Sequence, residues 1–141
     1  MKAVYTGLSH MSRCRYVHLD IKLENCYYNL GKPMIGDFGL ARLLNKDAQK
    51  NRIMCGTATY YSIEMVNRHS INTKTDVWSA GVLFYELVFM SSPFEVKKDT
   101  VGHHDFTEIK NGNYLAKIQE SGKVPSNDLL DVFKKTFCPP A

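Results

Sequence analysis

Apolar residues recur at helical spacing at both ends of the chain. Val4, Leu8 and Met11 lie about one helical turn apart, which predicts an amphipathic helix over the opening residues. Near the other end, Ser126 predicts the N-cap of a last helix. The inner face of that helix is predicted to carry Leu129, Leu130, Phe133 and Phe137, and Pro139 and Pro140 would stop it.

The middle of the chain predicts a buried helix and a small hairpin. Residues 77–90 are apolar nearly all round apart from Glu86, so this helix is expected to run through the centre of the domain. Thr73 and Asp76 fit a capping box that opens it. Two strand-like runs in "CYYNLGKPMIG" predict a β-hairpin around Gly31 and Lys32. The predicted fold class is therefore mainly α (α+β), with one small β-hairpin.

The remaining segments predict little regular structure. Residues 40–74 are mixed and polar, a long irregular segment of the kind usually kept for function. Residues 91–104 are predicted to be loop, and residues 106–110 a short helix that ends at the turn "NGN".

Composition and charge narrow the class of protein. The 141 residues are 44% hydrophobic and 23% charged, which suits one soluble domain or part of one. The net charge of +4 is small and the basic residues are scattered, so neither nucleic acid nor a membrane is a predicted partner. The start "MKAVYTGLSH" does not resemble a signal peptide, and residues 77–90 are too short to span a bilayer. Four cysteines without CxxC or metal-finger spacing favour thiols in a reducing compartment, the cytoplasm or nucleus.

The stretch "VHLDIKLENCYY", residues 17–28, concentrates charged and amide groups between apolar residues. Such groups are costly near a core unless something pairs with them. Together with the following "GDFGLAR", the segment resembles the catalytic core of the protein kinases. "CGTATYYSIEM" and "TDVWSAGVLFYELVFMSSPF" lie where that family has its Gly-Thr and Ala-Pro-Glu motifs and the helix whose Asp braces the catalytic loop.

The resemblance covers residues 1–141, which align with the large, carboxy-terminal lobe of a serine/threonine kinase, as a partial kinase domain without the small lobe. "MCGTATYYSIEM", "DVWSAGVLFYEL" and "IKNGNY" are most similar to polo-like kinases. The resemblance implies transfer of the γ-phosphate of ATP, with Mg²⁺, to a Ser or Thr hydroxyl of a protein substrate.

The resemblance also implies roles for residues at matching positions. The catalytic residues would be Asp20, Lys22 and Thr57: Asp20 would accept the proton of the substrate hydroxyl, and Lys22 would offset charge on the transferring phosphate. The Mg²⁺ ligands would be Asn25 and Asp37, since this ion prefers carboxylate and amide oxygens.

Nucleotide contacts are implied for three residues. Lys22 and Asp37 would lie beside the phosphates, and Tyr27 would lie where the family usually places an aliphatic residue under adenine. A tyrosine ring there is expected to crowd or reshape the base pocket.

Two departures from the family fall on one regulatory contact. Leu19 replaces the usual Arg of the catalytic loop, and Ile53 replaces the phosphorylated Thr that this Arg grips. An Arg–phosphate contact needs both ends. We therefore expect that phosphorylation at this position does not switch the chain.

Two functional classes stay open. In the first, the chain is part of a serine/threonine kinase that works only with a small lobe, which retention of the catalytic and metal-binding residues favours. In the second, it is a non-catalytic, kinase-derived interaction module, docking through the apolar surface that would otherwise face that lobe. The second class is favoured by the missing small lobe and by Leu19, Ile53, Tyr27 and Ser62-Ile63. A decaying gene copy is a third reading. We prefer the first, with little or no phosphotransfer by these 141 residues alone.

Overall fold

The computed structural model describes residues 2–138, apart from the side chains at positions 48 and 49. Pro139 and Pro140, predicted to stop the last helix, lie outside the described residues. The helices are α1 (Lys2–Arg13), α2 (Ile63–Val66), α3 (Thr75–Phe89), α4 (Thr107–Asn111), α5 (Tyr114–Glu120) and α6 (Asn127–Thr136). The strands are β1 (Tyr16–Val17), β2 (Cys26–Asn29), β3 (Lys32–Ile35), β4 (Arg42–Leu43), β5 (Lys97–Lys98) and β6 (His104–Asp105). They pair antiparallel as β1 with β4, β2 with β3 and β5 with β6.

The core is built around α3, as its apolar sequence predicts. Its buried residues extend all round the helix. On one side Phe84 contacts Tyr5 of α1, with ring centroids 5.4 Å apart, and on another Tyr85 contacts Phe133 of α6 at 5.4 Å. The mainly α fold class is confirmed. Within residues 2–138, none of the helices combines the length and apolar character that a bilayer crossing needs.

The start of α3 differs from the predicted capping box. The helix begins at Thr75, and the bonds around its start come from Asn72 instead of Thr73. The Asn72 side chain accepts the backbone N–H of Lys74 at 2.8 Å, and Thr75 Oγ1 accepts the backbone N–H of Asn72 at 3.1 Å. These bonds form a turn that leads into the helix one residue earlier than predicted, while the N-cap, Lys74, has no side-chain bond.

The hairpin of β2 and β3 is confirmed, with its turn one residue earlier than predicted. Leu30 and Gly31 form the turn, with φ of 47° and 78°. Positive φ at both central residues matches the right-handed twist of the strands. The register pairs Cys26 with Ile35, so the hairpin returns the chain beside Asn25.

The carboxy-terminal third contains elements that the sequence did not predict. Strands β5 and β6 lie in or beside the predicted loop, and α5 follows the "NGN" turn. The last helix is confirmed: Ser126 Oγ accepts the backbone N–H of Leu129 at 3.3 Å, while Phe133 and Phe137 are buried.

Candidate active site

A buried carboxylate beneath residues 18–25, the catalytic loop, is the first support of the site. Asp76 is 2% exposed, and it accepts the backbone N–H of His18 at 2.7 Å and that of Leu19 at 2.9 Å. Burial raises the pKa of Asp76, although both hydrogen bonds act to lower it. The two bonds hold the loop where Leu19 adopts a left-handed φ of 68°.

His18 links this loop to the end of the hairpin. Its ring is fully buried, with Nε2 lying 3.0 Å from the carbonyl oxygen of Gly36. Nδ1 accepts the backbone N–H of Asp20 at 3.3 Å, so the neutral ring carries its proton on Nε2. The ring also packs against Phe38, with centroids 4.9 Å apart. The buried His18 ring therefore holds the catalytic loop and residues 36–38 together.

Three of the predicted site residues converge on the carboxylate of a fourth, Asp20. Lys22 Nζ lies 3.1 Å from Asp20 Oδ2, and Thr57 Oγ1 donates to Asp20 Oδ1 at 3.0 Å. Lys22 Nζ also donates to Thr57 Oγ1 at 3.0 Å. Asn25 Nδ2 donates to Asp20 Oδ2 at 2.9 Å and to the Asp20 carbonyl oxygen at 2.8 Å. Residues from two distant segments thus form one hydrogen-bonded network.

The network keeps Asp20 ionised. Partial burial acts to raise its pKa, but the hydrogen bonds from Lys22, Thr57 and Asn25 outweigh burial, and the pKa of Asp20 is lowered. An ionised carboxylate is a strong hydrogen-bond acceptor for a hydroxyl. The arrangement therefore suits a carboxylate that orients a hydroxyl group. It suits less well a base that removes the hydroxyl proton before the transition state is reached.

Asn25 and Asp37 offer the oxygen donors that Mg²⁺ takes. Because both amide hydrogens of Asn25 are used by Asp20, its amide oxygen is the atom it can offer to a cation. Asp37 is exposed, and its carboxylate accepts the N–H of Gly39 at 3.3 Å. The Gly36 N–H donates to the Asn25 carbonyl at 2.9 Å, which brings the two residues to the same end of the hairpin. One carboxylate plus one amide oxygen fits an ion that is otherwise bound by phosphates and water.

The Tyr27 ring lies at this same end of the hairpin. The side chain is 51% exposed, and its ring edge approaches the α-carbon of Gly36. It is thus placed beside Asn25 and Asp37, with part of its surface open to solvent.

The segment around Thr57 is positioned by a glycine. Gly56 has a left-handed φ of 95°, and a β-carbon there would collide with the Leu19 carbonyl oxygen. Leu19 is 4% exposed within the apolar core, and Ile53 packs against the same core. Where the family has an Arg and a phosphorylated Thr, the structure therefore has two apolar side chains facing inward.

Sequence reasoning missed a contact between α3 and this segment. The Tyr60 hydroxyl donates to the Glu86 carboxylate. Burial raises the pKa of Glu86, the bond from Tyr60 acts to lower it, and nearby Glu24 acts to raise it. The signal was available: Glu86 is the one acid that interrupts the apolar run of residues 77–90. An acid in a buried helix predicts a polar partner.

An open groove lies between α1 and the hairpin. It has a volume of about 500 Å³, and its apolar lining includes Met11, Met34 and Phe38. Of the described residues that line it, His10 and Arg13 are the ionisable ones.

Comparisons with known proteins identify the family of the chain. Residues 1–139 match the protein kinase domain family. The chain belongs to that family, whose members use ATP and Mg²⁺.

Polo-like kinases are among the relatives. The chain is 32% identical over 117 residues to serine/threonine-protein kinase polo of Drosophila melanogaster, covering 81% of this chain and 20% of that protein. It is 32% identical over 130 residues to plk-2 of Caenorhabditis elegans, covering 92% of this chain and 20% of that protein. It is also 45% identical over 80 residues to human Nek2, covering 55% of this chain and 18% of that protein. The chain therefore spans about a fifth of the length of these relatives, and the similarity to polo-like kinases is confirmed.

Proposed function

We propose that this chain supplies the large-lobe part of the active site of a serine/threonine protein kinase of the cytoplasm or nucleus. The observation that carries the proposal is the network in which Lys22, Thr57 and Asn25 all donate to the Asp20 carboxylate. Phosphoryl transfer needs an oriented hydroxyl and neutralised phosphate charge, and little covalent chemistry besides. The network provides an ionised acceptor with an ammonium group beside it.

In this proposal Asp20 orients the hydroxyl of a Ser or Thr side chain of a protein substrate. The hydroxyl oxygen forms a bond to the γ-phosphorus while the bond from that phosphorus to the β–γ bridging oxygen breaks. The electron pair of the broken bond leaves with ADP, and the hydroxyl proton passes to the Asp20 carboxylate. Lys22 offsets negative charge on the transferring group, and Thr57 holds both side chains in place.

Asn25 and Asp37 are the residues that would hold Mg²⁺. When bound, the ion neutralises charge on the phosphates of ATP. The chain's own contribution is to hold the Asn25 amide by its two bonds to Asp20, which leaves the amide oxygen for the ion, and to bring the backbone of Asp37 near Asn25 through the Gly36–Asn25 bond.

The test is a thermal shift of the purified chain with ATP, with and without Mg²⁺. We expect ATP to raise the melting temperature only when Mg²⁺ is present, and Asp37→Ala to abolish the rise. Asp131→Ala is the matched control, because Asp131 is an exposed residue of α6 paired with Lys135. A shift that is independent of Mg²⁺, or that survives Asp37→Ala, would contradict the proposal.

The same proposal limits what the chain does by itself. Residues 2–138, as the structure describes them, correspond to the large lobe, and we expect these 141 residues alone to transfer little or no phosphate to casein or to themselves. Activity equal to that of a whole kinase, abolished by Asp20→Asn, would show this expectation to be wrong.

A second candidate function, a non-catalytic interaction module, is favoured by the groove between α1 and the hairpin. Its apolar lining is exposed, with Met34 at 48% and Phe38 at 53%. Because His10 and Arg13 are the ionisable residues of its described lining, the partner it fits is an apolar helical segment flanked by carboxylates.

This candidate is tested with two synthetic amphipathic helices that share a Leu face and differ in Glu or Lys flanks. We expect the Glu-flanked peptide alone to bind, and Met34→Asp to weaken binding at least tenfold. Leu30→Asp, at the 93% exposed hairpin tip, is the control. Equal binding of both peptides, or of neither, would remove the candidate.

A further inference from the structure

Arg68 occupies a backbone position that favours glycine. The helix α2 ends in a Schellman motif, in which the Arg68 N–H donates to the Met65 carbonyl at 3.0 Å. The second bond of the motif runs from the His69 N–H to the Glu64 carbonyl at 2.8 Å. Arg68 is the left-handed residue of the motif, with φ of 55°. A residue with a long side chain is strained there, and glycine is the usual choice, so the end of the helix does not explain the arginine.

A second arginine, Arg52, is held near the first by a bond between their segments. The Asn51 carbonyl accepts the N–H of Ile71 at 3.0 Å, and both residues are buried. This bond lies one residue from Arg52 and three residues from Arg68. The Asn51 side chain is itself fixed, because it both accepts from and donates to the backbone of Asn45. The two segments that carry the arginines are therefore anchored to each other.

The two arginines line one open pocket. It has a volume of about 410 Å³, and its other described lining residues are Ile53, Met54 and Met65. Met65 is buried and Met54 is 43% exposed, and together they give the pocket an apolar floor of adaptable thioether side chains. Neither an acid nor an aromatic ring is among the lining residues that the structure describes. The pocket therefore combines positive charge with an aliphatic surface.

Neither guanidinium is neutralised within the part of the chain that the structure describes. The ion pairs of that part include neither Arg52 nor Arg68, and neither side chain has a hydrogen-bond partner there. An exposed arginine without a partner is ordinary by itself, because water hydrates it. Here it coincides with backbone strain at Arg68 and with an apolar floor, and strain of this kind is a pointer to a functional surface.

We propose that this pocket, formed by Arg52, Ile53, Met54, Met65 and Arg68, binds an acidic peptide segment of a partner protein. An aliphatic side chain of the segment contacts the apolar floor, and carboxylates beside it pair with the two guanidiniums. Arginine suits this role because its planar fork binds a carboxylate through two parallel hydrogen bonds. Nucleic acid fits less well, since it offers phosphates without an aliphatic group and the described lining has no ring on which a base could stack.

The test measures the binding of capped heptapeptides to the whole chain, without nucleotide and at low ionic strength. The probe is fluorescently labelled Gly-Asp-Asp-Leu-Asp-Asp-Gly, and anisotropy reports its binding. Two matched peptides carry Asn in place of every Asp, or Gly in place of Leu. We expect the probe to bind and each matched peptide to bind at least tenfold more weakly, because one loses the charges and the other loses the apolar contact.

The Arg68→Gly variant separates a ligand-binding role from a structural one. We expect it to weaken binding of the probe about tenfold and to leave the melting temperature unchanged or higher, because glycine relieves the left-handed strain. Met90→Gly is the matched control, since Met90 directly follows α3 with φ of 59° and is 82% exposed. The control should change the melting temperature in the same direction and leave binding as it is. Arg52→Gln should weaken binding to a similar extent as Arg68→Gly.

Each result supports or overturns the proposal. Equal binding of the probe and the Asn peptide, or no binding of the probe, would overturn it. A lower melting temperature for Arg68→Gly, with Met90→Gly unaffected, would assign Arg68 a role in stability and would also overturn it. Because nucleotide is absent and the pocket shares no residue with the network around Asp20, these results do not depend on the proposed kinase function.

Discussion

Asp76 and Asp20 both organise the catalytic loop, but through different physics. Asp76 is buried in α3 and accepts two backbone N–H groups of the loop, and burial raises its pKa. Asp20 lies at the surface of the loop among side chains of Lys22, Thr57 and Asn25, which together lower its pKa against partial burial. The first carboxylate fixes the shape of the backbone, and the second presents a charge.

The difference shows which group holds the fold and which is available for chemistry. Removing an acceptor from buried donors leaves those donors without any hydrogen-bond partner, because water cannot reach them, and this lowers the free energy of unfolding strongly. Removing the partly buried Asp20 carboxylate lets water reach the side chains that it paired with, which costs less free energy. The two regions should therefore respond very differently to matched changes.

The largest effect is expected for Asp76→Asn. The amide presents N–H₂ to one of the two buried donors, His18 or Leu19, and leaves it unpaired, so the free energy of unfolding should fall by about 3 kcal/mol. Urea unfolding followed by circular dichroism measures this. In Asp131→Asn, a surface control, the change should stay below about 0.5 kcal/mol. Equal stability of Asp76→Asn and the unaltered chain would mean that the hydrogen bonds from Asp76 to the catalytic loop do not stabilise the fold.

Gly56→Ala should give the next largest effect, because the added methyl group creates a steric clash between the segment of Thr57 and the catalytic loop. The β-carbon would collide with the Leu19 carbonyl oxygen, and the left-handed φ adds strain. We expect a loss of about 2 kcal/mol in the free energy of unfolding. Gly102→Ala is the control: Gly102 has φ of 89° with nothing near its β-carbon position, so it reports the strain without the collision. Equal losses for both variants would exclude the contact with Leu19.

The pH dependence should have opposite signs at the two aspartates. At pH 6, Asp20→Asn should cost about 1 kcal/mol or less. Because folding lowers the pKa of Asp20, its ionised form stabilises the folded chain at pH values above the pKa of the unfolded state. This stabilisation is lost as the pH falls through the pKa of the folded state. Because folding raises the pKa of Asp76, its protonated form stabilises the folded chain at pH values below the pKa of the unfolded state. This stabilisation is lost as the pH rises through the pKa of the folded state.

Between pH 6 and pH 3, the stability difference between the unaltered chain and Asp20→Asn should therefore shrink. The corresponding difference for Asp76→Asn should grow. Urea titrations of all three proteins at four pH values measure both trends. Differences that move in the same direction would show that the two carboxylates do not differ in the way the structure indicates.

No effect is expected from phosphorylation of the segment that approaches the loop. Leu19 is 4% exposed and offers no donor, and Ile53 has no hydroxyl to modify. We expect that incubation with an activating kinase does not increase the affinity for Mg·ATP. Phosphosite mapping combined with a binding titration checks this, and a phosphate within residues 40–60 that increases affinity would contradict it.

Much of the fold could be predicted from the sequence because its signals are local. Each of these signals lies within a few residues of the element that it predicts. They are the apolar residues of α3, the N-cap at Ser126 and the paired runs of β2 and β3. The capping residue of α3 was placed one position late, at Thr73, because Asn72 and Thr73 are both capable N-cap residues. Strands β5 and β6 are two residues long, which is too short for a periodic pattern.

The site was predictable to a smaller extent. The motif resemblance selected Asp20, Lys22, Asn25 and Thr57, which the structure joins in one network, while their functional roles stay a prediction. The contacts of Gly36 with Tyr27 and of Tyr60 with Glu86 were not foreseen. Both join residues from different segments through shape or a single bond. The lone acid Glu86 indicates that a polar partner is needed, but nothing in the sequence identifies that partner as Tyr60.

The bonds from Asp76 also determine when the catalytic loop can form. They join residues 58 and 57 positions apart along the chain, so the loop cannot reach its final conformation until α3 has docked. During synthesis the loop leaves the ribosome well before its partner helix and must wait for it. The amide protons of His18 and Leu19 should accordingly be among the slowest in the protein to exchange with deuterated solvent.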